Sequence, residues 1–329
     1  MPQESNVTKV LFVVRGDATV PSCRFRAYQF AGPLRKLGVE AQYFVEGRRE
    51  SPVDWMRTSF RLMREVARGG YDAVVYQKRL QRERVSLIRA FNSNVWYDFD
   101  DAVYLGHERR FGQTLKASAG VIAGNEELAT HARRHHSRVA IIPTVVEVPD
   151  IYTPPPKDGP LKISWVGTAG NLQYLEPVFA ALDSIRGAGT DAVLHVLTDE
   201  PGSVSDRPGV VREPWSRDAE AKALVDCHVG VMPLLDDDWA RGKCACKALQ
   251  YLSYGRPVIS SPVGVNVSLF ENEAFGSLAT SADDWASALT RWNGSREEIA
   301  KAGRLGREFV IENYDVCSWA MTLKTLLVG

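Results

Sequence analysis

Short β-branched runs alternate with longer amphipathic segments throughout this sequence, and that alternation admits few folds other than βα units wound around parallel sheets. Strands are expected at 10–14, 39–45, 73–76, 95–97, 120–123 and 139–142, with helices between them, notably over 24–37 and 55–68. A second series starts afresh at 162–166 and continues through 193–197, 210–212, 229–232, 257–260 and 276–278. Between the two series, Pro143, Pro149, Pro154, Pro155, Pro156 and Pro160 crowd a stretch that regular structure does not accommodate, which marks a linker. At 329 residues the chain is long for one core. The expected architecture is α/β, with two facing doubly wound Rossmann-like domains at 1–154 and 155–329. Two closing helices are expected at 295–312 and 315–327, the last (about 315–328) free to pack back on the first domain.

Bulk properties remove several function classes. The five cysteines Cys23, Cys227, Cys244, Cys246 and Cys317 are odd in number and show neither a disulfide framework nor zinc-ligand pairing, which fits a reducing compartment. The first residues lack a basic segment followed by an apolar run, and no stretch approaches the ~18 apolar residues of a membrane span, so a cytoplasmic protein is expected. Net charge is zero, yet cutting the chain near Pro143 leaves an excess of about eight basic residues in the first part. No nucleic-acid-binding motif accompanies that charge.

In doubly wound sheets ligands bind outside the carboxyl ends of the strands, so the residues just after each strand are the ones to weigh. In the second half the segment 236–266 is the richest. Asp236, Asp237, Asp238 and Trp239 precede Arg241, Gly242 and Lys243, which lead into a helix expected to run to Tyr254 with Lys243, Lys247 and Gln250 on one face. Cations at a helix N-terminus oppose its dipole, at about 0.3–1 kcal/mol each. A bound phosphate would take up that charge, and local pairing with the three aspartates would do so equally well. Gly264, Val265 and Asn266 offer either backbone N–H groups to a ligand or a plain tight turn. Trp215, after another strand, is either a wall for a base or core.

The run Trp239-Ala240-Arg241-Gly242-Lys243-Cys244, followed by Lys247-Ala248-Leu249-Gln250-Tyr251-Leu252-Ser253-Tyr254-Gly255-Arg256-Pro257-Val258-Ile259, resembles the donor-binding signature of glycosyltransferase family 4. The resemblance extends through Val166-Gly167, Ser261-Pro262-Val263-Gly264, Val121-Ile122-Ala123-Gly124-Asn125 and Ile142-Pro143-Thr144. It implies the GT-B architecture and retaining, hexosyltransferase-like transfer from a nucleotide-diphosphate sugar to a hydroxyl acceptor, in cell-surface glycan or glycolipid synthesis. Two departures stand out. The family's pair of glutamates eight residues apart is replaced by Gly242 and Gln250, and its Arg/Lys diphosphate clamp after the first strand of the second domain gives way to Gly167-Thr168-Ala169-Gly170-Asn171. The clamp is therefore expected from Arg241, Lys243 and Lys247, with Gly16, Gly167, Thr168 and Trp215 also on the donor and Gln250 accepting from the ribose only as a neutral amide. Clamping by fixed cations needs neither a metal nor another cofactor.

In the first half, Gly16 follows the first strand and Arg24 and Arg26 sit at the next helix start, where they meet an anion or solvent. Asp98, Asp100 and Asp101 end another strand; Asp100 or Asp101 is expected to orient the acceptor hydroxyl or the transferring sugar, the others to cap a helix or pair with arginines, and His107 to line the same wall. Over 55–68, Arg57, Arg61, Arg64 and Arg68 share a helical face beside Met56, Phe60, Met63 and Ala67. Such a helix suits the anionic inner face of a membrane, or else turns its apolar stripe into the core. Two other functions remain compatible with the sequence: a nucleotide-sugar epimerase of the same fold, and a non-catalytic nucleotide- or sugar-binding relative.

Overall fold

The computed structural model describes residues 7–47, 51–272 and 274–329; the first residues of the chain, weighed above for an export signal, lie outside them. From the amino terminus come β1 (Thr8–Val14), α1 (Pro21–Arg26), a 3₁₀ turn at Tyr28–Phe30, α2 (Ala31–Lys36), β2 (Val39–Val45), α3 (Pro52–Gly69), β3 (Ala73–Gln77) and α4 (Arg82–Arg89). Then follow β4 (Val95–Phe99), α5 (Glu108–Ala117), β5 (Gly120–Ala123), α6 (Glu126–Arg133) and β6 (Val139–Ile141). The second series comprises β7 (Leu161–Val166), α7 (Glu176–Gly187), β8 (Ala192–Thr198), β9 (Val210–Pro214), α8 (Arg217–Asp226), β10 (Val229–Met232), α9 (Asp238–Arg241) and α10 (Cys246–Ser253). It ends with β11 (Val258–Ser260), α11 (Val265–Leu269), β12 (Gly276–Leu278), α12 (Ala282–Asn293), α13 (Arg296–Tyr314) and α14 (Val316–Val328).

Two six-stranded parallel sheets result, ordered β2-β1-β3-β4-β5-β6 and β12-β11-β10-β7-β8-β9. Each reverses its winding beside its first strand, between β1 and β3 in one sheet and between β7 and β10 in the other, which are the topological switch points of doubly wound sheets. The chain divides into two compact units. The first runs to Val145 and takes in Gly242–Cys244 and Val316–Gly329; the second comprises Val146–Arg241 and Ala245–Asp315.

Both cores follow the alternation of the strands. In the first unit Leu11, Val13, Val74, Tyr76, Tyr97 and Phe99 meet α3 to α6 on one face. On the other face Val10, Phe12, Val75 and Trp96 meet α1, α2 and the buried side of α14 (Val316, Ala320, Leu323 and Leu327). The second unit buries Trp165, Trp285 and Trp292 among Ile163, Leu194, Val231 and Ile259. Among the described residues no helix is long and apolar enough to cross a membrane.

Two helices differ from the sequence expectation. The segment 24–37 is broken at Ala27 (φ −135°, ψ −66°), and Pro33 supplies a reason, because it has no N–H to donate to Gln29 in a continuous helix. The helix expected to follow Arg241-Gly242-Lys243 and run to Tyr254 starts only at Cys246, since Ala245 takes a left-handed conformation (φ +51°), and a separate short helix, α9, precedes it. Arg241 is thus the last residue of α9, where a cation suits the dipole, and Lys243 lies outside both helices; only Lys247 occupies a helical first turn. Lys243, Lys247 and Gln250 therefore do not share one helical face.

Helix α3 is held by a capping box, in which Asp54 N–H donates to Ser51 Oγ and Ser51 N–H to the Asp54 carboxylate, and Gly70 closes it at φ +63°. Its core face is Ser59, Leu62 and Val66, while Met56 and Phe60 are 59% and 63% exposed. The apolar stripe singled out in the sequence is thus largely on the surface.

Candidate functional site

The carboxyl edge of the first sheet is organised by buried charge. Asp98, near the end of β4, is 3% exposed and faces Arg26, which donates from Nε to Oδ2 (3.2 Å) and from Nη2 to Oδ1. The remaining nitrogen of Arg26 donates to the carbonyls of Ile142 and Pro143, the latter at 2.9 Å, so α1, β4 and the end of β6 are tied through one side chain. Burial pushes the Asp98 carboxyl up and the adjoining guanidinium opposes that push.

Just after β3, Lys78 adopts φ +64°, its N–H donating to the Asp98 carbonyl at 2.8 Å. That turn aims Nζ at two carboxylates at once, Asp100 Oδ1 at 2.8 Å and Asp101 Oδ2. Burial pulls the Lys78 ammonium down, but the two carboxylates outweigh it and hold it above its usual range. The carboxylates diverge. Burial raises both, yet Lys78 and Arg26 bring Asp100 below its ordinary value, whereas Asp101, beside the Asp100 charge, stays raised with Lys243 opposing. Lys78 is absent from the sequence candidates, although it follows β3 as they follow their own strands.

The tripeptide Gly242–Cys244 belongs to this unit and is held by Asn125. The Asn125 side chain accepts from Leu128 N–H to cap α6, while its Nδ2 donates to the carbonyls of Gly242 (3.1 Å) and Lys243 (3.2 Å). Cys244 Sγ donates to the Asp100 carbonyl at 3.4 Å, and a Cβ on Gly124 would stand 2.5 Å from that sulfur. Lys243 is in this way fixed beside the Asp100–Asp101 turn. Of the other first-half candidates, Gly16 lies against Val20 and its carbonyl accepts from the Tyr28 hydroxyl at 3.3 Å. Arg24 is buried with its guanidinium 4.3 Å from the Phe25 ring centre, and His107 is exposed at the N-cap of α5.

The carboxyl edge of the second sheet is more open. Gly167 follows β7, where a Cβ would strike the Trp165 ring at 2.3 Å. Thr168 is exposed, with Oγ1 accepting from Asn171 Nδ2 at 2.9 Å, and Ala169 N–H donates to Asp199 Oδ1 at 2.7 Å. After β10, across the same switch point, Arg241 is half exposed and reaches Asp236 (2.8 Å) and Asp238 (3.3 Å). Gly264 sits at φ +58°, and a Cβ there would lie 2.6 Å from the Arg241 carbonyl, so the turn before α11 needs glycine on both counts. Val265 is half-buried; Asn266 is buried, its N–H donating to the Val263 carbonyl and its Nδ2 to that of Ser261. Trp215 is half-buried, its N–H donating to the Thr198 carbonyl. Lys247 is half-buried in the first turn of α10, and Gln250 Nε2 donates at 2.8 Å to Glu220, a buried carboxylate on α8 absent from the sequence candidates.

No protein-family model matches the sequence, and no curated protein matches it. Solved structures match it along nearly its whole length. Sucrose-phosphate synthase from Thermosynechococcus elongatus superposes with a TM-score of 0.72 at 15% identity, over 97% of this chain and 98% of that one. Anabaena HepE, solved with UDP and glucose, gives 0.75 at 11% identity over 98% and 100% of the two chains. The lipopolysaccharide outer core galactosyltransferase WaaB gives 0.66 at 13% identity over 97% and 99%. At such identities the likeness establishes the fold alone: two Rossmann-like domains in the manner of the GT-B glycosyltransferases.

Proposed function

We propose that this chain is a retaining glycosyltransferase that moves a hexose from a nucleotide-diphosphate sugar to a hydroxyl acceptor in cell-surface glycan or glycolipid synthesis. The observation that carries the reading is the second unit's switch point, where Gly167 and Thr168 after β7 and Arg241 after β10 flank the place at which doubly wound sheets bind nucleotides. The likeness to HepE, solved with UDP and glucose, supports a nucleotide-sugar donor.

In this reading Arg241, Lys243 and Lys247 stabilise the leaving diphosphate, and Gln250, backed by Glu220, meets the ribose. Gly16, Trp215, Gly264, Val265 and Asn266 complete the donor contacts. Asp100 and Asp101, fixed by Lys78, orient the acceptor hydroxyl or the transferring sugar, with Arg24 and His107 on the acceptor side; Arg26, sealed against Asp98, reaches that side only by holding Asp98 in place behind them. Fixed cations do the electrostatic work, so no metal or other cofactor takes part in the chemistry.

Incubation with a panel of nucleotide sugars, followed by detection of free nucleoside diphosphate, tests the assignment. Turnover should persist in EDTA and fall steeply in both Arg241→Ala and Lys243→Ala. Unchanged turnover in both folded variants would sink it. Conversion of the donor sugar with no acceptor present would make the protein an epimerase, and nucleotide binding without turnover a binding module.

The protein works at the cytoplasmic face of an anionic membrane, held there by α3. The exposure of Met56 and Phe60 beside Arg57, Arg61, Arg64 and Arg68 supports this. Co-sedimentation with anionic but not zwitterionic vesicles is expected, and equal binding to both, or to neither, would reject it.

A further inference from the structure

A second chemical feature of the first unit lies outside the groups assigned to donor and acceptor. Glu108 is the first residue of α5, His131 lies in α6, and His135 in the turn that follows it. Both imidazoles present Nε2 to the same carboxylate: His131 at 3.1 and 3.0 Å from Oε1 and Oε2, His135 at 2.6 Å from Oε1. The three donor atoms lie within 4.8 Å of one another.

Packing fixes the two rings before any ligand arrives. His131 stacks on Tyr104 with centroids 3.6 Å apart and planes 7° from parallel. His135 meets the Phe111 ring edge-on, and a Cβ at Gly112 would stand 2.7 Å from its Nδ1, so the glycine makes room for the imidazole. Their side chains are only 15% and 20% exposed, whereas Glu108 is 54% exposed and free to adjust.

We propose that Glu108, His131 and His135 form a zinc-class divalent metal site that cross-links α5 to α6. Two imidazole nitrogens and one carboxylate oxygen suit zinc and similar borderline first-row ions; calcium and magnesium prefer all-oxygen sets. With metal–ligand distances of about 2.0–2.2 Å, tetrahedral donors stand roughly 3.3 Å apart; the carboxylate contacts widen to that by a small retreat of Glu108, and the two imidazole nitrogens, within 4.8 Å of each other, close to it by small ring rotations. A water takes the fourth position on the exposed side. The ion braces the fold and takes no part in sugar transfer, so the inference stands whether or not the transferase reading does.

The test uses the untagged full chain, stripped with EDTA and titrated with cobalt(II). One equivalent should bind with the visible absorption of a four-coordinate N/O site, be displaced by zinc, and raise the thermal midpoint. His131→Ala and His135→Gln should each abolish the absorption and the zinc-dependent rise while keeping the apo far-UV circular dichroism, and Glu108→Gln should weaken both. Absence of saturable binding by the intact chain overturns the site. So does binding that persists in the two histidine variants, or an absorption spectrum showing thiolate charge transfer from Cys246 or Cys317.

Discussion

The two units bury charge in opposite ways. In the first, the charged groups behind the carboxyl edge are sealed in with partners of opposite sign: Arg26 with Asp98, Arg84 with Glu46, Lys78 with Asp100 and Asp101. In the second, the deepest cation, Arg256, is 0% exposed and donates to the carbonyls of Thr153, Tyr254, Gly255 and Val225, and the charged pairs of Arg241 lie half in solvent. A sealed pair keeps its geometry with or without ligand. An exposed pair can trade one partner for another at little cost, because surface ion pairs are worth about 0–1 kcal/mol. The first unit thus holds a preset carboxylate pair, and the second holds exposed cations able to exchange one partner for another.

Breaking a sealed pair should give the largest effect. Arg26→Ala strands Asp98 in the core and should cost about 3–5 kcal/mol in urea denaturation. Adding Asp98→Leu should restore much of that loss, since an apolar pair no longer leaves a buried charge alone. A double variant as unstable as the single one would mean that the two carbonyl bonds of Arg26, not its ion pair, dominate.

The contrast extends to titration. In the second unit His228 is fully buried, its Nδ1 accepting from Lys162 N–H at 2.9 Å and its Nε2 donating to the Pro156 carbonyl at 2.9 Å. Burial, aided by the Arg296 charge, lowers its pKa from 6.5 to about 4. The unfolded chain therefore binds a proton that the folded one refuses. Stability should be complete above pH 6.5 and decline as the pH falls toward 4, by about 3 kcal/mol. Urea midpoints at pH 7.5 and 5 measure that slope, and His228→Gln should flatten it. A wild-type slope retained in the variant would assign the effect to other groups.

The strands of both sheets were legible in the sequence, the central ones β1, β3, β7 and β10 because parallel strands buried on both faces leave dense apolar runs. Helices were less so where backbone conformation overrode pattern: the αL turn at Ala245 has no glycine or asparagine to announce it, and it moves Arg241 and Lys243 off the helix they were placed on. The carboxylate cluster was visible as Asp98-x-Asp100-Asp101, and so was its need of an arginine, but not which cation meets which carboxylate. Arg26 and Lys78 come from other βα units, and only the β1-β3-β4-β5 order brings them together. Glu108, His131 and His135 escaped for the same reason, since a carboxylate 23 residues from the nearer histidine has no ligand spacing to show.

The smallest stability effect should carry the largest functional one. Arg241→Ala removes two exposed pairs, with Asp236 and Asp238, and should shift stability by less than about 1 kcal/mol. If the second unit's open cations serve a diphosphate, the same variant should lose the thermal shift given by the nucleoside diphosphate that stabilises the wild type. Wild-type nucleotide stabilisation in Arg241→Ala would leave its exposed pairs as surface chemistry only. The distinction between a sealed and a recruitable charge would then have no functional content in this unit.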